Sequence, residues 1–238
     1  MKTITKDRDA VARILRQHGW FGELPVDLQH QILDGSVLRD FRRRAIIFAE
    51  DQPPVGLFAV IDGEVSISRL AGTDNEVLFH VGGPGMWFGD LAVLTDRNTA
   101  VTARAHSDVE IMMLTTARFR QIVEKKPDYY RIFALPALQR AQLMFRTLAE
   151  SQSMTPEQYL RVRLADFAEI RRGDGAGQQE IELTLSQTEL AQMVGTTRQT
   201  INAILKKLEA DGLIRSKFKS ICIADIAGLR GDRRRTGL

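Results

Sequence analysis

The sequence predicts an α+β chain: an N-terminal antiparallel β-roll, jelly-roll-like and carrying short helices, then a long helix, then a C-terminal winged helix-turn-helix. Three observations predict it. Between Val37 and Leu114, short apolar runs are punctuated by Gly, Pro, Asp and Asn, the texture of closely spaced strands. From Asp128 to Met154 a helical pattern takes over, interrupted only by Pro136. Residues 183–214, "LTLSQTELAQMVGTTRQTINAILKKLEADGLI", then place two short helical segments about Gly195, and a hairpin pattern, "LIRSKFKSICIAD", follows.

Each element has a local reason. "RDAVARILRQ" puts Val11, Ile14 and Leu15 on one helical face, and "LPVDLQHQIL" does the same with Leu24, Leu28, Ile32 and Leu33. "LFAVIDGEVSISRL" alternates about Asp62-Gly63, a dipeptide that tolerates positive φ, so a hairpin is expected there. "NEVLFHVGGPGMWFG" adds a strand and a glycine-rich turn. On the long helix Ala134, Ala141 and Leu148 recur every seven residues, with Ala137, Met144 and Ser151 in the second seam position. Small seam residues would let two such helices approach closely; packing of the helix on its own roll fits the pattern equally well. Pro136 costs a backbone hydrogen bond and predicts a kink or a restart. Thr155 reads as the cap of the next helix, with Pro156 at the first helical position and Gln158 three residues after the cap. The expected organisation is therefore a roll over 1–127, a long dimerisation helix and hinge over 128–154, and a winged helix-turn-helix domain over 155–238.

Composition narrows the function classes. The 238 residues are 44% hydrophobic and 26% charged, the balance of an ordinary globular protein. No run approaches the length of a membrane span, and "MKTITKDRDAVARILRQ" has no apolar stretch before a small-residue cleavage site, so a cytoplasmic protein without membrane contact is expected. One cysteine, Cys222, and four scattered histidines give no metal-ligand spacing, and no iron-sulfur cluster is expected. His80 or His106 as a haem ligand is less economical than a satisfied histidine in a strand. Cys222 in "SICIAD" reads as a small apolar residue of a half-buried strand. The Gly-rich loop followed by Lys-Ser/Thr, H-E-x-x-H and G-x-S-x-G are all missing, so no enzyme is expected. The net charge of +3 is uneven: from Leu190 onward ten Lys/Arg face four Asp/Glu, an excess of six. Positive charge gathered at one end suits a nucleic-acid partner.

Ser186-x-x-Glu189 opens the first short helix as a capping box, and Thr196-x-x-Gln199 is read as a second box opening the next. Leu190, Met193, Val194, Ile201, Ile204, Leu205 and Leu208 have the spacing of faces that pack these helices together, with small Ala191 at their crossing. In a helix-turn-helix the second helix lies in the DNA major groove, its first residues at base edges. Thr197, Arg198, Gln199 and Ala203 stand there. Arginine can pair with guanine O6/N7 and glutamine with adenine. Lys217 and Lys219, near the hairpin tip, suit phosphates.

In this order of parts, and above all in "GTTRQTINAILKKLEADGLI" and "FGDLAVLT", the chain resembles the Crp/Fnr family of bacterial transcription regulators. The resemblance implies a homodimer on a palindromic double-stranded DNA operator, RNA polymerase as a further partner, Arg198 on a guanine, and Ser186, Thr197 and Lys219 near phosphates. It also locates a ligand pocket and its departures. Cyclic-nucleotide binders of the family carry Gly-Glu and, nine residues later, Arg-Ser/Thr; here Gly89 is kept, Asp90 replaces the Glu, Thr99 the Arg and Ala100 the Ser/Thr. A threonine hydroxyl cannot make the charge-assisted bidentate contact that a buried phosphate wants. Arg97 is the candidate surrogate. Polar residues that read adenine in the cyclic-AMP-responsive members correspond to Met144 and Phe145. In the recognition helix Gln199 and Ala203 stand where those members carry Glu and a second Arg, so the operator preference is expected to differ. The expectation is a regulator not gated by cyclic AMP or cyclic GMP, its effector unknown; the competing reading is a cyclic-nucleotide-binding module that docks a protein.

Overall fold

The computed structural model describes residues 8–17, 19–71, 75–172, 181–217 and 220–231. The chain divides into two compact units, 1–71 with 78–143, and 72–77 with 144–238.

In the first unit, α1 (Arg8–Gln17), a 3-10 turn (Trp20–Glu23) and α2 (Val26–Gly35) precede eight strands: β1 (Ser36–Phe41), β2 (Ile46–Phe48), β3 (Gly56–Asp62), β4 (Val65–Ala71), β5 (Asn75–Gly82), β6 (Trp87–Phe88), β7 (Thr102–Ala105) and β8 (Val109–Thr115). They form two four-stranded sheets, ordered β1-β8-β3-β6 and β2-β7-β4-β5. A short helix, α3 (Asp90–Thr95), lies between β6 and β7; α4 (Thr116–Lys125) and α5 (Asp128–Ser153) follow β8.

Burial on both faces explains why these strands read as apolar runs. Along β3, Phe58 and Val60 face one core together with Phe48, Phe88, Ile111 and Met113. Leu57, Ala59 and Ile61 face another, with Val11, Leu15, Phe21, Leu28, Ile32, Phe119 and Phe133. The first core is aromatic at its centre, with Phe58 stacked on Phe88 at 5.2 Å and Phe48 against Phe58 at 5.5 Å. In the second, Trp87 meets Trp20 edge-on at 5.1 Å and Phe21 face-on at 5.9 Å. Each such side chain contributes roughly 1.5–3 kcal/mol on burial.

Asp62-Gly63 does not turn a hairpin. β3 pairs with β8 and β6, whereas β4 pairs with β7, so this dipeptide carries the chain from one sheet to the other. Gly63 has φ 78°, and a Cβ there would lie 2.2 Å from the Asp108 carbonyl oxygen, so the corner demands glycine. Nor does the long helix restart: α5 continues through Pro136. α5 also crosses the division between the units.

In the second unit, α6 (Pro156–Arg172) starts as expected, with the Thr155 hydroxyl accepting from the Gln158 amide at 3.3 Å and the Gln158 side chain accepting from the Thr155 amide at 2.9 Å. Then come β9 (Ile181–Leu183), α7 (Gln187–Val194), α8 (Arg198–Ala210), β10 (Ile214–Lys217), β11 (Ser220–Ile223) and α9 (Ile226–Arg230). β10 and β11 form the expected hairpin, and β9 completes a three-stranded sheet ordered β10-β11-β9. Leu190, Ala191, Met193, Ile201, Ile204, Leu205 and Leu208 are buried between the helices, and Cys222 is fully buried in β11. Among the described residues, no helix is long and apolar enough to cross a membrane, and no cluster of His, Cys, Asp or Glu is placed to hold a metal ion.

Candidate DNA-reading surface and candidate ligand pocket

Caps set the geometry of the helix-turn-helix. The Ser186 hydroxyl accepts from the Glu189 amide at 3.2 Å, and the Glu189 carboxylate accepts from the Ser186 amide at 2.8 Å. The same carboxylate also accepts a hydrogen bond from the Ser186 hydroxyl at 2.7 Å, so this side chain is committed to the box. Gly195 ends α7 in the left-handed region. The box read at Thr196 and Gln199 does not form: the cap is Thr197, one residue later, whose hydroxyl accepts from the Thr200 amide at 3.1 Å. A hydroxyl one position on caps α8 because the Thr196 amide still closes the end of α7, donating to the Ala191 carbonyl at 3.1 Å.

This shift leaves Gln199 outside the cap. Thr197, Arg198, Gln199, Asn202, Ala203, Lys206 and Lys207 are all exposed along α8. Lys207 is tied to Glu157 at 2.8 Å. Arg198 donates through Nε to the Gln187 side-chain oxygen at 3.2 Å, and Gln187 donates through Nε2 to the Asn202 side-chain oxygen at 3.4 Å. Neither Gln187 nor Asn202 stood out in the sequence; their signal is only positional, the first residue of α7 and the residue one turn after Arg198. On the hairpin, Lys217 is exposed and donates to Glu182 at 3.3 Å. Its ammonium is held above the usual lysine range by hydrogen bonds with Cys222 and Glu182, so it stays charged. Lys219 lies outside the described residues.

The pocket positions are arranged very differently. Gly89 caps α3 with φ 83°, and a Cβ there would meet the Gly56 carbonyl oxygen and the Phe58 ring, each at 2.8 Å. That close approach sets Asp90 at the first turn, buried. Its carboxylate is taken by an arginine, but not Arg97, which is exposed. The partner is Arg140 of α5, whose Nη2 donates to Asp90 and whose Nη1 donates to the Trp87 carbonyl at 3.3 Å. The side chain of Asp90 is 7% exposed and that of Arg140 41%.

Thr99 is buried as well. Its hydroxyl donates to the Ala49 carbonyl at 2.5 Å and accepts from the Gln52 amide at 3.1 Å. Backbone bonds reinforce this, Thr99 amide to Gln52 carbonyl and Asp51 amide to Thr99 carbonyl, both 2.9 Å. Thr99 thus staples the 49–52 loop to the 96–101 loop, and Ala100 beside it is exposed. On α5, Ala134 and Ala137 are half-buried, while Ala141, Met144, Phe145, Leu148 and Ser151 are exposed, Phe145 at 73%.

Comparison with known proteins agrees with both halves. Residues 38–126 match the cyclic nucleotide-binding domain, and residues 162–231 the Crp-like helix-turn-helix domain. The chain is 26% identical over 186 residues to the CRP-like cAMP-activated global transcriptional regulator of Mycobacterium tuberculosis, covering 78% of this chain and 83% of that protein. It is 25% identical over 190 residues to the CRP-like protein Clp of Xanthomonas campestris, with the same coverage. In fold it is similar to the c-di-GMP responsive regulator CLP of Xanthomonas campestris (TM-score 0.70, 22% identity, 84% of this chain and 100% of that one). The FixK2 structure from Bradyrhizobium japonicum is similar too (TM-score 0.70, 17% identity, 82% and 95%). A roll with the pocket's framework, a long helix and a capped, outward-facing reading helix meet in one chain, which belongs to the Crp/Fnr family of transcription regulators and carries its helix-turn-helix DNA-binding domain.

Proposed function

We propose that this regulator binds a two-fold-symmetric operator as a homodimer and that neither cyclic AMP nor cyclic GMP gates it. The observation that carries the second part is the state of the two pocket side chains. Asp90 is paired within the chain to Arg140, and Thr99 is spent on the backbone of residues 49–52. A ribose hydroxyl would have to displace a guanidinium from a buried carboxylate, and a cyclic phosphate would find no arginine at position 99. Arg97, exposed, is the remaining cation of that loop.

The homodimer rests on α5, where Leu138, Ala141, Phe145 and Leu148 are exposed at 3-4-3 spacing, an apolar stripe of the kind that a second helix covers. This register uses Leu138 and Phe145 in place of Ala137 and Met144 as the second seam position, keeping Ala134, Ala141 and Leu148. On DNA, Arg198 reads a guanine, Thr197 and Lys219 approach phosphates, and Lys217 adds phosphate attraction while Ser186 holds the box that aims α7. Gln199 faces the groove with its amide outside the cap, replacing an acid at that position. The chain acts by binding, with RNA polymerase as its partner at the promoter.

The test is calorimetric titration of the protein with cyclic AMP, cyclic GMP and, because the Xanthomonas campestris relative is described as c-di-GMP responsive, cyclic di-GMP. The proposal expects no micromolar binding of the first two; micromolar affinity for either overturns it. Saturable cyclic di-GMP binding would supply the missing effector.

A further inference from the structure

We propose that Asn202 is a second base-reading residue, selecting adenine, and that Gln187 is the positioning residue that aims both Asn202 and Arg198. The inference rests on the reading of α8 as the groove-binding helix and deepens it.

Arg198 and Asn202 are four residues apart, hence on one face of α8, about 6 Å along its axis, roughly two base steps of B-DNA. Both are exposed. What distinguishes them from the rest of the exposed row is a shared partner on the other helix. The Gln187 side chain, at the first position of α7, accepts from Arg198 Nε at 3.2 Å and donates to Asn202 Oδ1 at 3.4 Å. An amide is the side chain suited to this bridge, because it offers an acceptor on one side and a donor on the other.

The bridge has a chemical consequence at each end. With Nε engaged, the edge of the guanidinium left for DNA is its Nη pair, two parallel donors that match guanine O6 and N7. Asn202 Oδ1 accepts from Gln187 with one lone pair and keeps a second, and both Nδ2 protons remain for DNA. Donating to N7 while accepting from N6 is the adenine pattern. Gln187 also fixes which way the Asn202 amide faces, since the reverse orientation would oppose two NH2 groups. Two flexible side chains are thereby ordered before DNA arrives, which lowers the entropy cost of reading two bases.

The experiment is selection of binding sites from a randomised DNA library by the full-length protein and by Asn202→Ala, Gln187→Ala and Gln187→Glu, followed by affinities on sites with single base changes. The wild type is expected to enrich a half-site with a guanine and an adenine about two steps apart. Asn202→Ala should keep the guanine preference and lose about tenfold discrimination at the adenine. Gln187→Ala should weaken both preferences, leaving affinity for non-specific DNA and its salt dependence unchanged, a pattern that mere destabilisation would not give. Gln187→Glu still accepts from Arg198 but cannot donate to Asn202, so it should spare the guanine and lose the adenine. Unaltered motifs from Asn202→Ala, or equal losses at every position from both Gln187 variants, overturn the inference. A wild type that enriches no motif overturns the groove-binding reading beneath it.

Discussion

The ligand-pocket positions and the reading helix carry the same kinds of side chain, a threonine, an arginine and an acid or amide, and use them in opposite ways. At the pocket Thr99 and Asp90 are buried and bonded within the chain, one to the 49–52 backbone and one to Arg140. On α8, Thr197, Arg198, Gln199 and Asn202 are exposed, and the bonds of Arg198 and Asn202 run through Gln187 in a way that leaves donors for a ligand. Polar groups satisfied inside a fold stabilise it; polar groups held outward recognise something else. The contrast teaches that a framework and its binding chemistry are separable: Gly89 turns α3 against Phe58, while the Asp90 charge is answered by Arg140 of the same chain.

The largest expected effect comes from breaking the proposed seam, which would bring two reading helices to one operator. Phe145→Glu, at a position 73% exposed in the single chain, should convert the dimer to monomer in sedimentation and abolish operator binding at nanomolar protein while leaving the circular dichroism spectrum intact. Next is the pocket pair. Arg140→Gln leaves Asp90 buried without its cation and, because the Arg140 side chain is itself partly exposed, should lower stability by about 1–2 kcal/mol, read from urea midpoints. Arg198→Ala should cost about 1–3 kcal/mol on the operator and relax preference at one guanine, with little change in stability, the reverse of the pocket's pattern. Selection with the wild type should also recover a half-site other than the TGTGA expected of the cyclic-AMP-responsive members, since Gln199 and Ala203 stand where those members carry charged residues. Thr99→Val removes a bond-making hydroxyl from a buried site and should cost about 1–2 kcal/mol of stability without altering DNA affinity. Smallest is Glu157→Gln: losing the partly exposed pair with Lys207 should change stability by less than about 1 kcal/mol.

Local chemistry was legible in the sequence, and distant partners were not. The Ser186-Glu189 box, the Thr155-Pro156 start and the buried faces of α7 and α8 follow from spacings of three or four residues, and all are present. The Thr196 box failed by one position because either of two adjacent threonines can cap a helix, and Gln199 stands three residues after the one that does not. Asp62-Gly63 looked like a hairpin because its flanks alternate, but which strands pair is decided by partners as far away as β7 and β8. β9, three residues long, has no periodicity to detect. Arg140 was missed for the same reason: it meets Asp90 across 50 residues of sequence, and nothing near either one announces the other. That position 99 holds no arginine could be read directly, but what the Thr99 hydroxyl does there could not.

Operator affinity of protein stripped of small molecules by unfolding and refolding, measured with and without saturating cyclic AMP, tests the central claim most directly. A pocket whose polar groups are already satisfied predicts the same nanomolar binding in both conditions. Tight binding only in the presence of the nucleotide would contradict it.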